Sequence, residues 1–208
     1  MDRAAIAALL LPVVQLSGEQ LEQTSMYIDI LLQWNARINL TAIDDEEQIV
    51  VRHFGESFFA ARHLLSPDAR AHLIDVGSGA GFPGLPMAIY ARETRVTLIE
   101  SNLKKAAFLS EVIDRLKLNH ASVFAGRGEA FSGAGDVVTM RAVEKFEKVL
   151  PAAAKLVGNG GRLGLMIGAS QLEKARAIAT GFAWSEPLEV PGSVSRVLAV
   201  GIKPVIVE

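Results

Sequence analysis

Residues 72–86, HLIDVGSGAGFPGLP, pass from an apolar run through an acid into a loop with four glycines and two prolines. A short apolar run that stops on clustered glycines is a buried strand meeting a tight turn. Pro83 suits an early helical position and Pro86 still falls within a first helical turn, where missing N–H groups cost little. The segment therefore reads as strand, loop and helix, a unit that belongs in a sheet built by crossover connections.

The rest of the chain obeys that constraint. After HLIDV, helical stretches near 83–91, 102–118, 145–157 and 170–180 alternate with the apolar runs RVTLIE, ASVFA, DVVTM and GRLGLMI. Such alternation predicts a mostly parallel sheet with helices on both faces. The last run, VSRVLAVGI, has no helix after it and is expected to pair antiparallel. Upstream, a Ser17–Gln20 capping box opens a helical pattern carried by Leu21, Ile28, Leu31, Leu32 and Ile38, and a second helical stretch spans about 46–65. Between them WNARINLTAID, residues 34–44, suits a structured turn. The expected architecture is a doubly wound, Rossmann-like α/β domain over residues 71–208, with a helical appendage over 1–70.

Composition excludes several function classes. The chain has 208 residues and no cysteine, so disulfides, thiolate metal sites and cysteine nucleophiles are ruled out. The uncharged run Ala4–Gly18 is shorter than a membrane span and contains Pro12, Gln15 and Ser17, so it is expected to be a buried or docking helix. A cytoplasmic protein without a membrane or metal partner is the expectation. A net charge of -2 provides no global attraction to nucleic acid, so an RNA partner must meet a local basic patch.

The glycine loop admits two cofactors. Gly79-x-Gly81-x-x-Gly84 matches the dinucleotide fingerprint, and Asp75-x-Gly77-x-Gly79-x-Gly81 matches the loop of S-adenosylmethionine (SAM) methyltransferases. A pyrophosphate on the helix N-terminus would be repelled by Asp75, whereas the cationic SAM would be attracted, directly or through water. Glu100, closing RVTLIE, stands where either class places an acid for the ribose hydroxyls.

WNARINLTAI, VRHFGES, DVGSGAGFPGLP, LIESNLKKAAFL, GRGEAF and the arginine of VTMRA follow one another in a characteristic order. In these segments the chain resembles, over residues 20–202, the bacterial glucose-inhibited division protein B family of small-subunit ribosomal RNA guanine-N7 methyltransferases. The resemblance implies transfer of a methyl group from SAM to N7 of a guanine in 16S ribosomal RNA, in the 530-loop region. It implies that Gly77, Gly79 and Phe82 line the SAM pocket, that Glu100 holds the ribose, and that Gly128 and Glu129 flank the adenine. Arg141 falls at the cofactor and target end, with Arg52 and His53 facing the substrate; Asn39 and Thr41 either touch the site or cap their turn. The partner is 16S ribosomal RNA, or a small subunit in assembly, and the enzyme is expected to be a monomer.

Chemistry agrees with that target. Guanine N7 carries an in-plane lone pair at neutral pH, so no general base is needed and Arg141 and His53 are expected to position rather than to move protons. Arg37, Arg52, Lys104, Lys105, Arg127, Lys145 and Arg196 are the candidate RNA-contacting cations. Three departures from the family pattern stand out: Ile167 where a lysine is usual before Gly168, Glu56 where an aspartate is usual, and VTMRAVEKF in place of the commoner run. The competing readings are a methyltransferase of another RNA or a small molecule, and a nucleotide-binding regulatory protein without turnover.

Overall fold

The computed structural model describes residues 1–141, 143 and 145–205. Five parallel strands form the centre of one sheet: β1 (His72–Val76), β2 (Arg95–Glu100), β3 (Ala121–Ala125), β4 (Gly135–Arg141) and β5 (Val157–Gly168). Two-residue β6 (Ala183–Trp184) and β7 (Leu188–Glu189) and the longer β8 (Arg196–Ile202) complete it. The order is β3-β2-β1-β4-β5-β8-β6, with β7 also on β8, and β8 runs antiparallel to β5 as its lack of a following helix suggested. The order reverses between β1 and β4, which makes their carboxyl ends the natural crevice for a ligand.

Residues 3–64 are mostly helical. Helix α1 (Arg3–Leu10) is capped by Asp2, and α2 (Gly18–Asn35) carries the expected reciprocal box between Ser17 and Gln20. The uncharged run is helical only as far as Leu10, because Pro12 cannot continue the ladder. The next segment begins as α3 (Glu46–Gln48), passes through a π-helical turn (Ile49–Gly55) and ends as α4 (Glu56–Leu64). Crossover helices α5 (Gly84–Tyr90), α6 (Leu103–Leu116), α7 (Phe146–Lys155) and α8 (Leu172–Ile178) cover the sheet.

Two apolar layers enclose the sheet. On one face Ile6, Tyr27 and Leu31 share a core with Leu85, Phe108 and Leu109, so the N-terminal helices and the sheet bury a common surface. On the other, Val138 and Leu163 pack with Leu150 of α7 and Ala175 of α8. Among the described residues no helix is long and apolar enough to cross a membrane.

Candidate functional site

The glycine loop is fastened from below. Gly77 and Ser78 both donate backbone N–H groups to the Ile99 carbonyl, at 2.9 and 3.0 Å, so the loop folds over the end of β2. Gly77 has a positive φ of 71°, and a Cβ there would stand 2.9 Å from Val143 Cγ2. Only glycine satisfies both conditions. At Gly79 the nearest atom to an added Cβ is the Gly77 carbonyl oxygen at 3.8 Å, so the loop has one open side.

The two acids of this end play different parts. Asp75 is 1% exposed; its Oδ1 accepts from the Thr139 hydroxyl at 2.8 Å and its Oδ2 from the Gly84 N–H at 3.2 Å. Burial pushes its carboxyl up to about 6 despite those bonds. The sequence expectation was a charge offered to a cationic ligand, whereas this placement turns the carboxylate inward, where it ties β1 to β4 and to the start of α5. Glu100 sits at the end of β2 and accepts the Gly79 N–H at 2.9 Å and the Asn102 N–H at 2.7 Å. Those two bonds fix its carboxylate beside the open side of the loop while each oxygen keeps a lone pair for a ligand hydroxyl.

Phe82 is mostly buried, stacked on Tyr27 at 5.4 Å and on His53 at 4.7 Å between ring centroids. Tyr27 lies in α2 and donates its hydroxyl to the Ala80 carbonyl. An N-terminal helix thus grips the glycine loop from the side, a contact that nothing in the spacing of Tyr27 revealed.

Arg141 ends β4 and enters a network anchored on the π-helical turn. Its Nη2 donates to the Arg52 carbonyl at 2.7 Å and lies 3.2 Å from His53 Nδ1, and its guanidinium stands 5.9 Å above the Phe82 ring. An arginine only donates, so His53 Nδ1 is the acceptor and the ring hydrogen sits on Nε2, which donates to Thr41 Oγ1 at 2.7 Å. Burial, with Arg141, Arg52 and Arg196 nearby, lowers His53 to about 3, so the ring is neutral. Thr41 takes its place because Asn35 Oδ1 accepts from the Leu40 and Thr41 N–H groups, the turn expected for WNARINLTA. Asn39 is exposed in that turn.

Glu56 completes the network. Its carboxylate meets Arg141 Nη2 at 3.1 Å and Arg196 Nη2 at 2.6 Å. Burial raises its carboxyl, while the two guanidiniums draw it back down. In the sequence Glu56 stands out only as a replaced aspartate, since its partners Arg141 and Arg196 lie on strands far along the chain.

A cavity of about 170 Å³ opens at the ends of β4 and β5, walled by Val143, Phe146, Met166 and Ile167. Arg141, Gln171 and Arg196 bring its polar side chains. Pockets that hold whole ligands run to roughly 300–1,000 Å³, so this one has the scale of a base. Val143 separates it from the glycine loop.

The remaining candidates are distributed along the same edge. Gly128 is buried in a 3-10 turn after β3, against Val76, with Glu129 exposed beside it. Lys104 and Lys105 open α6 above the Asn102 cap, Arg127 follows β3, and Lys145 precedes α7 in the left-handed region with φ 58°. All four follow carboxyl ends of parallel strands, and Arg196 joins them by pairing with Gly168 across β8 and β5. Arg52 lies half-buried in the π turn, and Arg37 sits apart, exposed just beyond α2. Among the described residues, no cluster of three or more histidine or acidic side chains is arranged to hold a metal ion.

Comparison with known proteins places this geometry. The sequence profile of the rRNA small subunit methyltransferase G (GidB) family matches residues 20–195. Ribosomal RNA small subunit methyltransferase G of Roseiflexus castenholzii is 38% identical over 203 residues, covering 91% of this chain and 86% of the relative. The Neisseria meningitidis protein of the same name is 36% identical, covering 80% and 78%. Among solved structures, a SAM-dependent methyltransferase from Aquifex aeolicus superposes with a TM-score of 0.62 at 13% identity, over 78% of this chain and 96% of that one. M. jannaschii TYW2 in complex with AdoMet gives 0.61 at 19%, over 80% and 78%. The structural likeness establishes the methyltransferase fold. With its sequence matched from α2 up to the residue before the last strand, the chain belongs to the rRNA small subunit methyltransferase G family.

Proposed function

We propose that this protein transfers a methyl group to N7 of one guanine in 16S ribosomal RNA, in the 530-loop region, acting as a monomer in the cytoplasm on free RNA or on an assembling small subunit. The observation that carries the reading is the pairing of an open-sided glycine loop, with Glu100 at its rim, and a base-sized cavity, with Val143 between them.

The methyl donor is S-adenosylmethionine, which supplies an electrophilic methyl on a sulfonium. Residues 71–208 hold this donor: Gly77 and Gly79 let the backbone approach it, Glu100 accepts from its ribose, and Gly128 and Glu129 border its adenine. Asp75 and Phe82 keep the loop in shape from beneath and from the side. The helices of residues 1–70 form the wall that faces RNA. Lys104, Lys105, Arg127 and Lys145 lie along the rim and take phosphates, with Arg37 and Arg52 reaching the RNA from the helical side.

The bond from methyl carbon to sulfur breaks as the bond to N7 forms, and the positive charge passes from sulfur to the guanine ring. No proton has to leave N7, so a neutral His53 and an Arg141 held by the Arg52 carbonyl and Glu56 are suited to alignment. The products are S-adenosylhomocysteine and 7-methylguanosine.

The test compares nucleotide-resolved mass spectrometry of 16S RNA from a strain lacking this gene with the same RNA after incubation with purified protein and SAM. One missing 7-methylguanosine, restored by the protein, is the expected result. Retention of every such mark in the deletion strain would sink the reading.

A further inference from the structure

The base-sized cavity is rich in hydrogen-bond donors. Arg141 has given its Nη groups to the Arg52 and His53 carbonyls and to Glu56. Gln171 turns its Oε1 to the Gly168 N–H at 3.0 Å, which leaves its amide NH2 to offer. Arg196 places Nη2 on Glu56, and its Nε is buried without a hydrogen-bond partner among the described residues. The side-chain groups still able to meet a ligand are therefore mostly donors, the second lone pair of Gln171 Oε1 being the acceptor among them. A buried donor without an acceptor is costly, and an entering acceptor removes that cost.

A purine is sorted by such a wall. Guanine presents two acceptors, N7 and O6, along one edge, while adenine replaces O6 with an amine donor. The opposite edge of guanine carries the N1 and N2 donors, for which these side chains offer a single acceptor site, the second lone pair of Gln171 Oε1. We infer that Arg196 reads O6 of the acceptor guanine, so that adenine is refused and N7, on the same edge, is left for the methyl group. Glu56 acts through Arg196 as a positioning residue, fixing the guanidinium against a carboxylate that is 4% exposed. The assignment rests on the guanine-methyltransferase reading above and adds to it the residue that selects the base. It also gives Arg196 a role distinct from the phosphate contact that its charge alone suggests.

The experiment uses small subunits reconstituted with 16S RNA bearing either guanine or 2-aminopurine at the position the unaltered enzyme methylates. 2-Aminopurine keeps N7 and lacks O6. The unaltered enzyme should prefer guanine by about 10- to 100-fold, the discrimination one well-made base contact provides. Arg196→Ala should be slow on both and bring the ratio close to one with unchanged SAM affinity by calorimetry. Arg196→Lys, which keeps a donor and guards against a folding defect in the alanine variant, should retain part of the preference. A wild-type ratio near one, or an alanine variant that slows while keeping the wild-type ratio, would overturn the assignment and leave the methyltransferase reading standing. Absence of 7-methylguanosine with the unaltered enzyme and natural RNA would overturn both.

Discussion

Asp75 is a carboxylic acid with no exposed surface to speak of, and its pH behaviour follows from that. Its carboxyl stands at about 6 in the folded chain against an ordinary 3.8, so the native state holds this proton more tightly than the unfolded one. The resulting stabilisation is complete below about pH 3.8 and is lost as pH rises through about 6. Asp75→Asn cannot titrate, so the stability of the native sequence relative to this variant should fall between about pH 4 and pH 7, read from urea midpoints at both. Gly77 yields a sharper outcome. Valine there meets both a left-handed backbone and the Val143 side chain 2.9 Å from its Cβ, and SAM binding by calorimetry should vanish while the sheet's circular dichroism persists. The sequence placed Asp75 correctly at the end of β1 but not the direction of its carboxylate, because Thr139 becomes its neighbour only through the pairing of β1 with β4.

At the scale of elements, Glu56 ties the start of α4 to the end of β4 and the start of β8. Glu56→Gln leaves Arg141, 10% exposed, beside Arg196 with no carboxylate between them. Breaking a buried pair on one side costs about 3–5 kcal/mol, so a loss of that order in denaturant unfolding is expected. How much of this was legible depends on the range of the signal. β1, β2 and β3 coincide with the apolar runs read from the sequence; β1 and β2 are buried along nearly their whole length and so write themselves as consecutive apolar residues, whereas β3, at the sheet edge, holds no fully buried residue. β6 and β7 have two residues each and no period to detect. The sequence pattern predicts ordinary helix where the π turn lies, since its wider winding differs from the α period by less than one short segment can register. Yet that turn carries Arg52 and His53 into the Arg141 network. Motif order located the ends of β1, β2 and β4, whereas the Glu56 clamp and the Tyr27 contact came only from the fold.

Across the whole molecule, the helices of residues 1–70 and the sheet are not separable by burial. Tyr27 and Leu31 are fully buried against the layer that contains Leu85 and Phe108. A fragment of residues 71–208 should therefore expose that layer and behave as a loosely packed, dye-binding chain, seen as weak near-ultraviolet dichroism and strong ANS fluorescence. Phe82 shows what the shared core means for turnover. Its ring belongs to the glycine loop proposed to hold SAM and is stacked on His53, in the helical wall proposed to face RNA. Occupancy of one side and occupancy of the other are then linked quantities: whatever factor SAM contributes to RNA affinity, RNA must return to SAM affinity, and the two ligands of this enzyme should not bind independently.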